Sequence, residues 1–303
     1  MSELLINNGI TVIGKMVNKN KPIIVVGTAR GGTSMVAGVL AKLGIFMGDK
    51  AVAPVYEDTR LSKAFEDNDE VQIDKIINEY SVKNAKWGWK RPSSIEYLKY
   101  ADDKFNSPIY IFIYKDILSI AQRNVISALE DISPAMRRAI KQYANSLEFL
   151  ELKKPYAMLV SYDKALSNPK NFIHSLIDFY DLTPTIAQIN DAIKFVQPNP
   201  HEYLDNSRIT KAQGFLDKIE NNIVYGWARF VHKKQFANVD IFVNDEKVGA
   251  TIANLVRSDL SIRFAQPCAF EFYLSIPENS IVKIRARVTN EVVDLENSPI
   301  EIG

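Results

Sequence analysis

One segment near the start of the chain, residues 22–44, constrains the fold more than any other. Its β-branched run Ile23–Val26 is typical of a parallel strand that is covered on both faces. A glycine-rich turn follows, and Thr33 and Ser34 can cap the helix that comes next. The apolar stripe of that helix consists of Met35, Val36, Val39, Leu40 and Leu43. Because unpaired N–H groups and the helix dipole favour an anion at such a junction, the segment predicts a phosphate-cradling loop.

The loop departs from the Walker A pattern of nucleotide triphosphatases at one informative position. Gly27 and Gly32 have the spacing of G-x-x-x-x-G-K-S/T, and Ser34 takes its last place. Thr33, however, stands where the lysine should be, and the cation of this loop is instead Arg30. An enzyme that acts on a nucleoside triphosphate needs that lysine and a magnesium ion to offset the phosphate charge. The loop therefore argues against a kinase or an ATPase.

A cation two residues before the last glycine, followed by Thr-Ser, resembles the 5′-phosphosulfate loop of the sulfotransferases. These enzymes use 3′-phosphoadenosine 5′-phosphosulfate (PAPS) as the sulfuryl donor. A transferring sulfuryl group carries less negative charge than a γ-phosphoryl group, so one side-chain cation and backbone amides can suffice without a metal. The resemblance implies that the donor's 5′-phosphosulfate is held by Thr28, Ala29, Arg30, Gly31, Gly32, Thr33 and Ser34.

Three further segments resemble the same family, in the family's order. The first, Lys86–Pro92, is similar to the W-G-x-K-x-P stretch of many bacterial members, and it implies that Lys90 reaches the sulfate or the acceptor. Trp87 and Trp89 alternate with that lysine, and they line the acceptor cleft or pack in the core. The third segment, Leu159–Asp163, resembles the family's Y-E-D-L…P motif.

The second of these segments, Pro108–Asp116, is a strand that ends in a cation–Asp pair. It resembles the family's 3′-phosphate strand, which implies that Lys115, Arg123 and Ser127 bind the 3′-phosphate. Lys115 replaces the arginine that is usual in the family and cannot make the paired hydrogen bonds of a guanidinium group. Arg123 replaces the usual serine. A solvated helix face is the alternative interpretation of both cations. The resemblance as a whole covers residues 20–200.

The animal cytosolic members of the family use a histidine upstream of the 3′-phosphate strand as the general base, whereas all the histidines of this chain lie after that strand. The resemblance therefore implies a carboxylate base, as in the family's Golgi branches. An acidic segment, Val55–Glu70, lies between the two phosphate motifs, where bacterial members of the family place an acidic residue. The resemblance implies a base among Glu57, Glu66 and Asp58, favoured in that order. For each of them a solvated acidic helix face is the alternative. Arg30 is the residue expected to stabilise the bridging oxygen as it leaves.

Composition limits the other function classes. The chain has 303 residues and a net charge of +1, which argues against general nucleic-acid binding. Cys268 is the only cysteine, so no disulfide within the chain is possible and a reducing compartment is expected. No apolar run has the length of a membrane span, and residues 1–21 lack a signal-peptide pattern, so we expect a cytoplasmic protein. Since that cysteine and the histidines show no ligand spacing, no metal site is predicted. The histidines are His174, His201 and His232.

Apolar strand-like runs alternate with helical patterns over the first two thirds of the chain. This alternation predicts an α/β fold for residues 1–200, with a parallel sheet flanked by helices on both faces. Ligands bind at the carboxyl ends of the strands in such sheets, where the glycine-rich loop is expected. Residues 1–20 are expected to form a loosely structured lead-in.

A polar stretch, residues 201–213, is predicted to be a linker, and Arg208 within it is a candidate to close over the nucleotide. From 214 to 303 the periodicity is two, which predicts a smaller all-β, sandwich-like domain. Its segments Gly226–Ala228 and Arg257–Leu260 faintly resemble a β-module that is appended to some bacterial glycan-modifying enzymes. Three roles stay open for this domain: binding of a glycan, dimerisation, and stabilisation of the catalytic domain.

The resemblance implies a metal-independent sulfotransferase. It would move sulfate from PAPS to a hydroxyl group, on a carbohydrate rather than a protein tyrosine, and release adenosine 3′,5′-bisphosphate (PAP). Two alternatives stay open. One is a P-loop kinase for a small molecule or sugar, with a displaced cation. The other is a non-catalytic protein that binds a nucleotide or a glycan. A homo-oligomer is compatible with each of these hypotheses.

Overall fold

The computed structural model describes residues 7–16, 18, 20–128, 130–198, 211–231, 235–274, 282–289, 291 and 293–302. The chain divides into two units. The first contains Met1–Val125 and Leu129–Ser207, and the second contains Ile126–Ala128 and Arg208–Gly303.

A five-stranded sheet organises the first unit. Its strands are β1 (Ile10–Ile13), β2 (Ile23–Val26), β3 (Gly88–Lys90), β4 (Ile109–Tyr114) and β5 (Ala157–Ser161). They lie in the order β1-β5-β4-β2-β3. The pairs β2–β3, β2–β4 and β4–β5 are parallel, whereas β1 is antiparallel to β5. The prediction of an α/β fold around a parallel sheet is confirmed at this level.

The edge strand β1 corrects the sequence analysis, which expected residues 1–20 to be loosely structured. Ile10 pairs with Val160 and Ile13 with Ala157, so the chain of β5 supplies the hydrogen-bonding partners that the short segment needs. The sequence of β1, Ile-Thr-Val-Ile, neither alternates strictly nor forms a continuous apolar run like that of β2, so no strand pattern marks it.

Nine α-helices and one 3₁₀-helix lie within the described parts of residues 7–198. They are α1 (Thr33–Lys42), α2 (Thr59–Glu66), α3 (Glu70–Lys83), a 3₁₀-helix (Pro92–Glu96), α4 (Leu98–Phe105), α5 (Ile117–Ala128), α6 (Ile132–Lys153), α7 (Tyr162–Ser167), α8 (Pro169–Tyr180) and α9 (Ile186–Phe195). None of the described helices is long and apolar enough to cross a bilayer.

The two faces of the sheet bury separate cores. Ile23 and Val25 belong to a cluster with residues of α1, α8 and α9. Ile24 and Val26 belong to a cluster with residues of α2, α3, α4 and α6. All four residues of β2 are therefore completely buried, which explains the continuous β-branched run.

The second unit is built from antiparallel strands. These are β6 (Ala212–Glu220), β7 (Ile223–Phe230), β8 (Ala237–Val243), β9 (Glu246–Ala253), β10 (Ala269–Tyr273), β11 (Val282–Val288) and β12 (Ile300–Ile302). They form one sheet with the order β10-β7-β6 and another with the order β12-β11-β8-β9. Burial alternates along β7 and β11, as the period of two predicts. Strand β6 begins at Ala212, inside the stretch that was predicted to be a linker.

Candidate functional site

The glycine-rich loop leaves the carboxyl end of β2 and enters α1. Arg30 has a φ of 69° and Gly32 a φ of 98°, so the chain passes twice through the left-handed region. Gly32 is itself the N-cap of α1, and the helix starts at Thr33. The prediction that Thr33 and Ser34 cap the helix is therefore wrong. Both hydroxyls instead lie in its first turn, beside N–H groups that no carbonyl of the helix can reach.

Two glycines let the loop fold tightly around this helix start. A Cβ on Gly31 would lie 2.6 Å from Thr28 Oγ1, and a Cβ on Gly32 would lie 2.3 Å from the ring of Tyr162. The Gly31 N–H donates to the Thr28 carbonyl at 2.9 Å, which closes the turn. Thr28 Oγ1 is buried and has no hydrogen-bond partner within the described part of the chain. A buried hydroxyl in that state costs about 1–3 kcal/mol, which a ligand that bonds to it offsets.

Lys90 brings a second cation to the loop. It lies at the end of β3 and pairs with Val25 of β2, so its side chain shares the sheet face that packs against α1. The fully buried ammonium donates to Ser34 Oγ at 3.0 Å and to Glu57 Oε1 at 2.7 Å. Burial lowers the pKa of Lys90 to about 8, although the charge of Glu57 opposes that shift. Lys90 and Glu57, two of the predicted catalytic residues, are thus brought together beside the loop.

Glu57 bridges two cations. Its Oε1 accepts from Lys90, and its Oε2 accepts from Arg91 Nη1 at 2.5 Å. Burial alone would raise the pKa of the Glu57 carboxyl, but the charges and hydrogen bonds of Lys90 and Arg91 outweigh burial and hold it below its usual value. The carboxylate is therefore ionised, and both of its oxygens are engaged.

Arg91 extends the network to Glu66. Its Nε donates to Glu66 Oε1 at 2.8 Å, and its Nη2 bonds to the same oxygen. Glu66 ends α2 and keeps 41% of its side chain exposed, so its bond to Arg91 lies at the rim of the site. The sequence analysis did not single out Arg91. The available signal was its place directly after Lys90, opposite an acidic segment.

Asp58 has a structural position. Its side chain is completely buried and caps α2 by accepting from the Arg60 N–H at 3.2 Å. The second oxygen accepts from the Tyr80 hydroxyl at 2.8 Å, and the Lys50 N–H also donates to the carboxylate. These bonds favour a helix-capping role for Asp58 over the predicted catalytic one.

Trp87 and Trp89 belong to the core. They are 1% and 0% exposed, and their indole N–H groups donate to Ser81 Oγ and Ser62 Oγ. Both rings lie within 6 Å of Phe105, in the core that packs against α2, α3, α4 and α6. Of the two interpretations that the sequence left open, the structure supports packing rather than a cleft wall.

The predicted 3′-phosphate residues start at the end of β4, which neighbours β2. The Lys115 ammonium lies 4.6 Å from the centre of the Tyr162 ring, and the same ring packs against Gly32 of the loop. Burial lowers the pKa of the half-buried Lys115; the charge of Asp163 opposes this shift, and that of Arg123 adds to it. Lys115 therefore lies next to the loop, and Arg123 is close enough to Lys115 to lower its pKa.

Three further residues were predicted to bind the donor. Ala29 is exposed in the loop. Ser127 is fully buried near the end of α5, within the segment that groups with the second unit. Arg208 falls outside the described residues. Within the described ranges, His, Cys, Asp and Glu side chains form no group of three or more that could hold a metal ion.

No protein-family model matches the chain, and no curated protein matches it by sequence. Among solved structures it is similar to mouse sulfotransferase SULT7A1 complexed with PAP, at 10% identity and a TM-score of 0.40. That match covers 59% of this chain and 65% of the mouse chain, just under two thirds of its length. It is also similar to sulfotransferase STF9 from Mycobacterium avium, at 12% identity and a TM-score of 0.41, over 59% of this chain and 68% of that one.

Proposed function

We propose that the chain transfers a sulfuryl group from PAPS to a hydroxyl group of a carbohydrate. The observation that carries this proposal is the hydrogen bond between Lys90 Nζ and Ser34 Oγ, at 3.0 Å. In a Walker A loop the hydroxyl at the position of Ser34 binds Mg²⁺. Here an ammonium group lies against that hydroxyl instead. The ammonium brings one positive charge to the place where Mg²⁺ would bring two. This suits a sulfuryl donor better than a nucleoside triphosphate, whose γ-phosphoryl group carries more negative charge.

The loop residues fit the 5′-phosphosulfate of such a donor. The first-turn N–H groups of α1 and the Thr33 and Ser34 hydroxyls line the helix start, which favours an anion. The unpartnered Thr28 hydroxyl and the close backbone at Gly31 mark the same place. In this proposal Arg30 and Lys90 supply the positive charge, and Ala29 takes part through its backbone.

The 3′-phosphate has its own cations in this proposal. Lys115 lies beside the loop across the Tyr162 ring, and Arg123 is close enough to act on the charge of Lys115, which accords with a second anionic group on the same nucleotide. The roles of Ser127 and Arg208 stay predictions of the sequence analysis.

The transfer step follows from these positions. The acceptor oxygen forms a bond to sulfur while the bond between sulfur and the bridging oxygen breaks, and PAP leaves with the electron pair of the broken bond. Arg30 and Lys90 offset the negative charge that develops on the bridging oxygen. The acceptor's hydroxyl proton passes to a carboxylate, for which Glu57 is our candidate, because of the three predicted carboxylates it is the one bonded to Lys90.

The assignment of a carbohydrate as the acceptor rests on the faint resemblance of the second unit to modules of glycan-modifying enzymes. A panel of polysaccharides and small alcohols, each incubated with PAPS carrying a labelled sulfate, would test it through label transferred to the acceptor. Label transferred to tyrosine peptides alone would overturn the carbohydrate assignment and keep the reaction.

Donor identity is tested by thermal stability with PAP and, separately, with ATP plus magnesium. A ligand at ~100 times its dissociation constant stabilises the native state by about 2.7 kcal/mol. The melting temperature should then rise by several degrees, at roughly 2–4 °C per kcal/mol. We expect PAP to produce this rise. A rise with ATP plus magnesium only would favour the kinase, and a rise with PAP without any transfer would favour the binding protein.

A further inference from the structure

Each oxygen of the candidate base bonds to a cation in this structure. Glu57 Oε1 lies 2.7 Å from Lys90 Nζ, and Oε2 lies 2.5 Å from Arg91 Nη1. A carboxylate that accepts a proton from an acceptor hydroxyl must be within hydrogen-bond reach of that hydroxyl. While both cations contact the carboxylate, their charges hold the pKa of Glu57 below its usual value, so the departure of one of them makes Glu57 a stronger base.

We propose that Glu57 is the counter-ion that the transferring sulfuryl group displaces from Lys90, so that donor binding itself frees the base. The proposal rests on the proposed function and adds a regulation of the same site. In this exchange Glu57 Oε1 loses its hydrogen bond from Lys90 and gains one from the acceptor hydroxyl.

The position of Lys90 supports the exchange. Its ammonium has three N–H donors, of which one bonds to Ser34 in the loop and one to Glu57. Because the side chain is fully buried, the charge needs an anionic partner close by. Glu57 is that partner in the free protein. A sulfuryl oxygen bound beside Ser34 offers the same kind of acceptor, and its negative charge repels the carboxylate.

Arg91 explains why Oε1 and not Oε2 changes partner. Its guanidinium is held on the other side by Glu66, through Nε and Nη2. The Arg91 bond to Oε2 can therefore persist and keep the carboxylate oriented while Lys90 turns away. Arg91 acts here as a positioning residue for Glu57.

The exchange changes the charge around Glu57 in a defined direction. Lys90 and Arg91 contact the carboxylate, Glu66 lies across Arg91, and Arg30 is close enough to lower the pKa of Lys90. When Lys90 pairs with the sulfuryl group, Glu57 loses its largest stabilising charge and its pKa rises. Glu57 thus becomes a stronger base in the donor complex than in the free protein, and the donor binds before the acceptor loses its proton.

Calorimetry of PAPS binding without acceptor tests the exchange. The pKa of Lys90 is about 8 with Glu57 in place, and the loss of Glu57 lowers it further, so the comparison is made at pH 6 and repeated at about pH 5 to keep the lysine charged in both proteins. In Glu57→Gln the sulfuryl group competes with a neutral amide instead of a carboxylate. Since charged hydrogen bonds are about twice as strong as neutral ones, we expect PAPS to bind about tenfold more tightly.

Glu66→Gln is the matched control. It removes one negative charge from the same network but has no bond to Lys90, so the affinity for PAPS should rise much less. Equal affinities in wild type and Glu57→Gln, or equal gains in both variants, would overturn the exchange. Both outcomes leave the proposed function intact as long as wild type transfers sulfate. Absence of PAPS binding by wild type would instead overturn the proposed function.

Proton uptake gives a second readout, which needs only the wild-type protein should Glu57→Gln fail to fold. PAPS binding is measured in two buffers of different ionisation enthalpy, and the ligand's own ionisation is subtracted. We expect net uptake of protons at about pH 4.5, near the ordinary pKa of a glutamate, as the pKa of Glu57 rises from below it, and less uptake in Glu57→Gln if it folds. No uptake by wild type would contradict the exchange, because a merely structural ion pair takes up no proton on donor binding.

Discussion

Lys90 and Ser34 are 56 positions apart in the chain, yet the Lys90 ammonium lies 3.0 Å from the Ser34 hydroxyl. The parallel pairing of β3 with β2 creates this proximity, because it sets Lys90 beside Val25, just before the loop. The cation that the Walker A pattern places inside the loop is here supplied by the neighbouring strand. This cation, Lys90, is buried beside Glu57, and both the proposed function and the proposed exchange depend on it.

Removing the Lys90 charge should abolish transfer without unfolding the protein. In Lys90→Met we expect turnover to fall by about 10²–10³, because a preorganised charge at the reacting group is lost. Removing one partner of a buried ion pair costs about 3–5 kcal/mol when the other charge is left unpaired. Because Glu57 keeps Arg91 as its partner, the loss of stability should stay below about 3 kcal/mol. Sulfate transfer and thermal melting of the same preparation check both statements.

Lys86→Met is the matched control from the same segment. The Lys86 ammonium donates to the carbonyls of Tyr180 and Asp181, so its loss should lower stability and leave turnover unchanged. If Lys90→Met instead behaves like this control, Lys90 has a structural role and the observation that carries the proposed function is lost.

Donor affinity should depend on pH through Lys90. Its pKa is about 8 in the free protein, so it is charged at lower pH and loses its proton above that value. A bound sulfuryl group favours the charged form, so the affinity should fall about tenfold for each pH unit above 8. The probe is adenosine 5′-phosphosulfate, which lacks the 3′-phosphate and so leaves Lys115 out of the measurement. A profile that is flat up to pH 9.5 in wild type, as we expect for Lys90→Gln, would contradict the assignment.

Recognition of the 3′-phosphate should depend on Lys115. In Lys115→Gln we expect the affinity for PAP to fall about tenfold or more, because a hydrogen bond to a charged group contributes about 1.5–3 kcal/mol. The affinity for AMP, which lacks that phosphate, should stay the same. Equal losses for both nucleotides would mean that Lys115 only supports the loop, through the Tyr162 ring that packs against Gly32.

The sequence predicted the parts of this molecule that depend on neighbouring residues. The run Ile23–Val26, the glycine-rich turn and the following helix are adjacent in the chain, and strand–helix alternation is a local pattern. Strand β1 could not be found in this way, because its partner β5 lies far along the chain and its own sequence neither alternates strictly nor is continuously apolar. The cap of α1 was wrong because the sequence does not say which residue of the glycine-rich turn adopts a positive φ.

For the same reason, the sequence could not predict which charged residues of the site form ion pairs. Glu57 and Arg91 are each recognisable as charged, but only the register of β3 and the path of the chain before α2 bring them together. Asp58 is a different case. It directly precedes the apolar stripe of α2, which includes Leu61 and Phe65, so an N-cap signal was present and the catalytic interpretation overrode it.

The role of Asp58 is the last point that a substitution can decide. Asp58→Ala removes a helix cap and leaves the Tyr80 hydroxyl buried without its acceptor. The cap contributes about 0.5–2 kcal/mol, and the unpaired hydroxyl costs about 1–3 kcal/mol, so we expect a loss of about 2–4 kcal/mol in the free energy of unfolding. Asp69→Ala is the matched control, because Asp69 caps α3 at an exposed site and its loss should cost about 1 kcal/mol. Denaturant unfolding measures both, and transfer is assayed at a temperature at which both variants are folded. There turnover should stay at the wild-type level, whereas normal stability with lost turnover would restore Asp58 as the candidate base in place of Glu57.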